Sequence, residues 1–226
     1  MGFAGVLGDS RGVAVLGRFL EASDVNHPLV EHHLAVIRDR DTGAAAFRAS
    51  VRALTMLVGV EATASLRTAA ATVQTPVSPA EVRKVNDRVA LVPILRAGLG
   101  MVDPMLELLP DATVWHLGLF RDEATATPVS YYDKLADATP PDVAMVLDPM
   151  LATGGSIAMA LDRLKKWGVK DLIVLGLIGS EPGRRRIAEA FPEVPVHLAT
   201  VDAELNDRAY IVPGLGDAGD RIFGTL

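Results

Sequence analysis

From Arg88 onward the chain repeats one grammar: a short apolar run ends in Gly, Pro or Asp and gives way to a helix-like stretch. The runs are Val89 to Leu95, Thr113 to Phe120, Asp142 to Leu147, Leu172 to Ile178 and Val196 to Val201. Near-continuous apolar runs mark strands buried on both faces, which belong to parallel sheets covered by crossover helices. Two crossovers are explicit. Ser156 to Trp167 stops at Gly168, and Pro182 to Phe191 opens on a proline, the expected asymmetry of helix ends. Ahead of this pattern, His27-Pro28 to about Thr63 reads helical, with Phe47, Val51, Leu54 and Val58 on one face and Asp41-Thr42-Gly43 as a break. The expected fold is therefore α/β: a mostly parallel sheet flanked by helices, with an α-helical N-terminal region and a C-terminal loop. Residues 1–24 are expected to form an extension with no assigned role, and 25–226 a single domain. Glu123 to Pro141 holds three prolines and few core formers, so it reads as a hairpin or a loop.

Charge narrows the function. Lys and Arg total 22 against 28 for Asp and Glu, a net charge of −6, which lacks the basic footprint of a nucleic-acid binder. There is no cysteine, hence no disulfide, thiolate nucleophile or cysteine-ligated zinc. The histidines at 27, 32, 33, 116 and 197 form no pair four residues apart. The longest apolar run, around Leu172 to Ile178, is far short of the roughly 18 residues a membrane span needs. The expectation is a cytoplasmic protein with no membrane and no nucleic-acid partner.

The chemistry concentrates where strands end. Val146-Leu147-Asp148-Pro149-Met150-Leu151-Ala152-Thr153-Gly154-Gly155-Ser156 carries an acid at a strand terminus and then a small-residue turn into a helix. Backbone N–H groups from Ala152 to Ser156, the Thr153 and Ser156 hydroxyls and the positive helix end would converge on an anion. Asp148 suits ribose hydroxyls or a hard cation carried by the substrate; the alternative is a helix-capping aspartate. A Walker loop is disfavoured because no Lys follows the glycines and the G-x-x-x-x-G-K-[ST] spacing is not met. A second turn, Pro93 to Gly100, places Arg96 beside small residues, and Arg121 follows the run ending Gly118-Leu119-Phe120. Guanidinium forks there would bind phosphoryl oxygens bidentately, while each arginine alone also reads as a surface ion-pair residue. Gly214-Leu215-Gly216-Asp217-Ala218-Gly219 formally matches a dinucleotide fingerprint, but only seven residues follow it, too few for the required crossover.

These residues resemble a known family. Val92 to Met101, Asp148 to Ser156 and Tyr210 to Asp220, with His27-Pro28-Leu29-Val30, Tyr131-Tyr132, Lys134 and Phe223-Gly224-Thr225, closely resemble the uracil phosphoribosyltransferases, colinearly from about Val25 to Leu226. The resemblance implies the type I phosphoribosyltransferase fold and transfer of a phosphoribosyl group from 5-phosphoribosyl 1-diphosphate (PRPP) to N1 of uracil. The products would be UMP and diphosphate, in pyrimidine salvage, with Mg²⁺ accompanying PRPP. It assigns PRPP binding to Arg96, Arg121, Asp148, Pro149, Met150, Leu151, Ala152, Thr153, Gly154, Gly155, Ser156 and Asp217. Uracil binding falls to Ile211, Gly216, Asp217 and Ala218, in a base-binding C-terminal loop. Arg96, Arg121 and Asp217 take the electrostatic catalytic role, and no side chain is assigned as a direct metal ligand. GTP is an effector in some relatives, a point this sequence leaves open.

Departures from the family pattern are local. Pro149 stands where the wider phosphoribosyltransferases carry a second acid, a proline the uracil enzymes share. Gly179-Ser180-Glu181-Pro182-Gly183 replaces the commoner Ala-Ala-Pro-Glu-Gly, and Asp207-Arg208-Ala209 replaces Glu-His-Gly. A competing reading is a pyrimidine-responsive RNA-binding regulator on the same scaffold. Its basic face would be Arg184-Arg185-Arg186 with Lys165-Lys166, residues that otherwise read as a solvated helix surface. A purine-using enzyme is disfavoured by the Ile211 to Ala218 segment. The long apolar helical front end further suggests a subunit interface, so a homodimer or higher homo-oligomer is expected.

Overall fold

The computed structural model describes residues 23–116, 118–121, 128–132 and 139–225; Ser23–Asp24, Gly118–Arg121 and Pro128–Tyr132 are described as backbone only. The front end is helical as expected. Helix α1 (Pro28–Arg38) has proline in its first turn and is capped by the His27 ring, which accepts from the Leu29 N–H at 3.1 Å. Helix α2 (Ala44–Ala62) follows the Asp41-Thr42-Gly43 break.

Six strands form one parallel sheet: β1 (Ser23–Asp24), β12 (Val196–Leu198), β10 (Asp171–Leu175), β8 (Val143–Leu147), β4 (Val89–Pro93) and β5 (Thr113–Val114), in that spatial order. Strands β4 and β8 are buried along their whole length, the property that makes their sequences continuously apolar. Alternate residues still serve opposite layers. Leu91, Met145 and Leu175 face α2 and α3 (Val102–Leu108), whereas Val92, Val146 and Val174 face α4 (Gly155–Trp167) and α5 (Glu181–Ala190).

Three expected strands are shorter than the apolar runs that announce them. Leu172 to Ile178 divides at Gly176 into β10 and β11 (Ile178–Ser180), and Val196 to Val201 divides into β12 and β13 (Thr200–Asp202). Beyond the break, β11 pairs in parallel with β13 and with β9 (Met150–Leu151), building a small second sheet past the C-terminal ends of the first. Thr113 to Phe120 likewise splits: β5 stays in the main sheet, while β6 (Gly118–Arg121) pairs antiparallel with β7 (Pro128–Tyr132). That pairing realises the hairpin expected near Glu123 to Pro141; the rest of that stretch lies outside the described residues.

Two findings depart from the sequence reading. The apolar face of the helical front end is consumed within the chain, because Phe47, Leu54 and Val58 are fully buried against the sheet and α3. Each such side chain contributes about 1.5–3 kcal/mol by burial, so this face is core, while Leu29 and Val60 on the same two helices stay exposed. Residues 68–85, which carried no sequence assignment, form an antiparallel hairpin, β2 (Thr68–Gln74) with β3 (Pro79–Val85), in which no residue is fully buried.

Candidate active site

The site grows from the adjacent C-terminal ends of β4 and β8. Pro93 stands opposite Leu147 in the register, and the Ile94 N–H donates to the Leu147 carbonyl at 2.9 Å, so the Arg96 turn and the Asp148 loop leave the sheet side by side. Asp148 accepts from the Met150 N–H at 3.1 Å through Oδ1. It does not cap α4, which overturns the capping alternative. Burial pushes the Asp148 carboxyl up to about 7, against the opposing pull of the Met150 N–H.

What begins α4 is Gly154, at φ 73°, with no side chain capping the exposed backbone donors. A helix start with open N–H groups and no internal acceptor is a ready anion cradle. Its cavity of about 70 Å³ is lined by Asp148 and by Met150 through Ile157, the very segment the sequence reading put around a phosphate. The cradle is held from behind by α5. A Cβ on Gly183 would stand 2.2 Å from the Ala152 carbonyl oxygen, so only glycine permits this approach. Ser180, fully buried, donates from its hydroxyl to the Ala152 carbonyl at 2.6 Å and accepts from the Gly183 N–H at 3.0 Å. The Gly179-Ser180 departure thus places an anchoring hydroxyl behind the cradle.

A cleft of about 370 Å³ joins the cradle to the C-terminal loop. Ala97, Met150, Ala152 and Thr153 form one wall; Arg208, Ala209, Tyr210, Ile211 and Gly216 to Gly219 form the other. Asp217 caps α6 (Ala218–Phe223) by accepting from the Asp220 N–H at 2.9 Å. Arg96 donates through one Nη to Asp220 at 2.9 Å, a solvent-facing ion pair at the cleft edge. That ion pair was the alternative reading of Arg96, and it coexists with a position beside the cleft. Arg208 and Ala209, noted in the sequence only as departures, line the cleft, and Ala209 holds φ at 61°. For Arg121 the backbone is placed at the end of β6, and its side chain lies outside the described residues, as does Lys134.

Sequence reasoning missed the side chains that hold the C-terminal loop. Arg38, at the end of α1, grips Asp202 at the end of β13 through both Nη atoms, at 2.8 and 2.6 Å. The same guanidinium donates to the Gly214 carbonyl at 2.9 Å, and Asp202 accepts from the Gly214 N–H at 2.9 Å. Burial works to raise the Asp202 carboxyl, but the Arg38 guanidinium and the Gly214 N–H outweigh it and hold it below the usual carboxylate range. Arg221 adds a second tie: it donates to the carbonyls of Leu215, Ile37 and Asp39, and its guanidinium lies 4.3 Å from the Phe47 ring centre. Among the described residues, no three His, Asp or Glu side chains gather as a metal-binding group, and no helix is long and apolar enough to cross a membrane.

A parallel sheet carrying an anion cradle at the head of a crossover helix, closed by a C-terminal loop across one cleft, is the organisation of a type I phosphoribosyltransferase. The family model described as uracil phosphoribosyltransferase matches residues 24–225. A uracil phosphoribosyltransferase of Roseiflexus castenholzii is 53% identical over 199 residues, 88% of this chain and 96% of that one. One of Clostridium perfringens is 48% identical over 210 residues, 91% and 99% respectively. A solved Aquifex aeolicus protein superposes with a TM-score of 0.83 at 35% identity, covering 89% of this chain and 97% of its own. The chain belongs to the uracil phosphoribosyltransferase family.

Proposed function

We propose that this chain transfers the 5-phosphoribosyl group of PRPP to N1 of uracil, releasing diphosphate and forming UMP. The observation that carries the reading is the single cleft in which the anion cradle, the Arg96 turn and the Ile211–Gly219 loop meet. The ribose 5-phosphate is assigned to the Ala152–Ser156 cradle, and the ribose hydroxyls to the Asp148 carboxyl oxygens, which accept from them. Arg96 and Arg121 serve the diphosphate, with Asp217 reaching PRPP from the opposite wall. Mg²⁺ enters as part of the PRPP substrate, and oxygen donors such as Asp148 suit a hard cation.

Breaking the C1′ bond builds positive charge on the ribose and negative charge on the leaving diphosphate. Cationic forks held at that end would lower the barrier, because preorganised charge needs no reorganisation as the diphosphate charge develops. Uracil is read by main-chain groups around Ile211, Gly216 and Ala218, a fixed donor and acceptor pattern. Cytosine reverses that pattern at its amino group and N3, and leaves buried polar groups unpaired. The enzyme is taken as cytoplasmic and homo-oligomeric. The exposed β2–β3 hairpin supports the second point, since a lone two-stranded hairpin is marginal in water. GTP enters as a candidate effector only through the family.

The test offers uracil, cytosine, hypoxanthine and orotate separately with PRPP and Mg²⁺, following nucleotide formation by chromatography. UMP from uracil alone is expected. Conversion of another base, or of none, refutes the assignment.

A further inference from the structure

Among the described residues, no cationic side chain lines the cradle that receives the proposed phosphate. Its lining comprises one carboxylate, Asp148, together with apolar side chains, two hydroxyls and backbone, yet a phosphate monoester brings nearly two negative charges near neutral pH. One cation beside the cradle comes from a residue that in sequence belongs to a solvated basic face. Arg186 lies one turn beyond Gly183, the glycine that lets α5 press against Ala152, and its Nη1 donates to the Thr153 carbonyl at 3.2 Å. A Cβ built on Gly155 would stand 3.7 Å from Arg186 Nη1 and 3.6 Å from the Thr153 hydroxyl. The guanidinium and that hydroxyl therefore flank the first residue of α4 together. Arg186 is solvent-exposed, and the Thr153 carbonyl takes one of the five N–H donors an arginine offers.

From this juxtaposition we infer that Arg186 is a further PRPP-binding residue, supplying the charge that the cradle lacks to the 5-phosphate end of the substrate. The inference rests on the reading of the cradle as the phosphate site. Its bond to the Thr153 carbonyl holds the guanidinium beside the first residue of α4 and leaves further N–H donors for a phosphate oxygen. Arginine suits this task because its planar fork carries charge and several donors at once. Neighbouring Arg184 pairs with Glu181 at 3.0 Å on the same helix, so the basic run is divided between a surface ion pair and the cradle.

The test compares wild type with Arg186→Ala and Arg186→Lys by UMP synthesis at varied PRPP and varied uracil. Competition by ribose 5-phosphate and by inorganic diphosphate is measured on each. Arg186→Ala is expected to raise the PRPP KM roughly three- to tenfold, the loss of a charge-assisted contact at an exposed rim. Ribose 5-phosphate should weaken as an inhibitor by a similar factor, while diphosphate, bound at the other end, keeps its inhibition constant. Arg186→Lys should recover part of the loss. Unchanged ribose 5-phosphate inhibition, or equal weakening of both inhibitors, overturns the inference, the latter because it marks general loosening of the loop. Should wild type make no UMP, the functional reading fails on its own, and calorimetric binding of ribose 5-phosphate to wild type and Arg186→Ala still decides Arg186: equal affinities overturn it.

Discussion

Replacing Asp202 tests whether the C-terminal loop is shaped by a charge pair two elements away from the cleft. Asp202→Ala removes both contacts to Arg38 and the acceptor of the Gly214 N–H. Taking one partner from a fully buried pair costs about 3–5 kcal/mol. Arg38 is 26% exposed and Asp202 7%, so the freed guanidinium regains part of its hydration and the expected cost falls to about 2–3 kcal/mol. Asp202→Asn keeps an oxygen for Gly214 and one neutral contact to Arg38, and should cost about 1–2 kcal/mol. If about 1.4 kcal/mol of either loss appears as a loop that leaves its base-reading geometry, the uracil KM rises about tenfold. Urea unfolding gives the first quantity, and initial rates at saturating PRPP give the second. A raised uracil KM with the PRPP KM within twofold of wild type is the expected split. Equal rises in both, or a stability loss with no change in uracil KM, would refute the positioning argument. A pH series adds a control. The folded Asp202 carboxyl is depressed, so its stabilisation is present above the ordinary carboxylate range and is lost as pH falls through the folded value. Wild type should therefore lose stability below about pH 4 that Asp202→Asn does not.

Asp148 behaves oppositely. Its folded value of about 7 lies above the ordinary aspartate value of about 3.9, so the folded state holds a proton the unfolded state has lost, and stability should decline as pH rises from about 4 to 7. Asp148→Asn should lack that decline and exceed wild type at pH 8 by on the order of 2 kcal/mol in urea unfolding, while its PRPP affinity falls; a parallel pH profile would remove Asp148 as the cause. Gly183→Ala drives a Cβ to 2.2 Å from the Ala152 oxygen and should cost about 1–3 kcal/mol by overpacking, with a larger loss in kcat/KM for PRPP than for uracil; wild-type kinetics would show that α5 does not shape the cradle. Ala209 sits at φ 61°, where a Cβ is unfavourable by about 1 kcal/mol or more, so Ala209→Gly should raise Tm by a few degrees in calorimetry, and an unchanged Tm would mean that the loop relaxes the strain.

The main sheet was legible because burial on both faces leaves a direct mark on sequence: β4 and β8 contain nothing but apolar residues and proline. The splitting of the later strands was not, since Leu172 to Ile178 stays apolar across the break at Gly176, and both halves are buried, in different sheets. The β2–β3 hairpin was invisible for the opposite reason. Its strands, Thr-Ala-Ala-Ala-Thr-Val-Gln and Pro-Ala-Glu-Val-Arg-Lys-Val, bury no residue fully, so no core imposed the alternation by which strands are recognised. The front-end helices show a limit of amphipathic patterns. They announce that a face is buried but do not say against what, and here Phe47, Leu54 and Val58 meet the chain's own sheet.

In the site, legibility follows sequence distance. The cradle is written in consecutive residues because it is made of backbone, and a strand, a small-residue turn and a helix start must follow one another for the donors to converge. The groups that fix and charge the site are arginines reaching from elsewhere: Arg38 spans 164 positions to Asp202, Arg221 spans 182 to the Asp39 carbonyl, and Arg186 spans 33 to Thr153. An arginine's stem lets its fork land far from its backbone, so no local pattern separates Arg186 at the cradle from Arg184 in a surface pair two residues earlier. That separation has a consequence for relatives of this chain. Backbone-built parts tolerate few changes, because glycine positions such as 183 are closed to any side chain, whereas arginine-supplied charge can enter from different positions. Affinity for the phosphate end of PRPP should therefore be tuned among close relatives through residues like Arg186, leaving the turn itself unchanged.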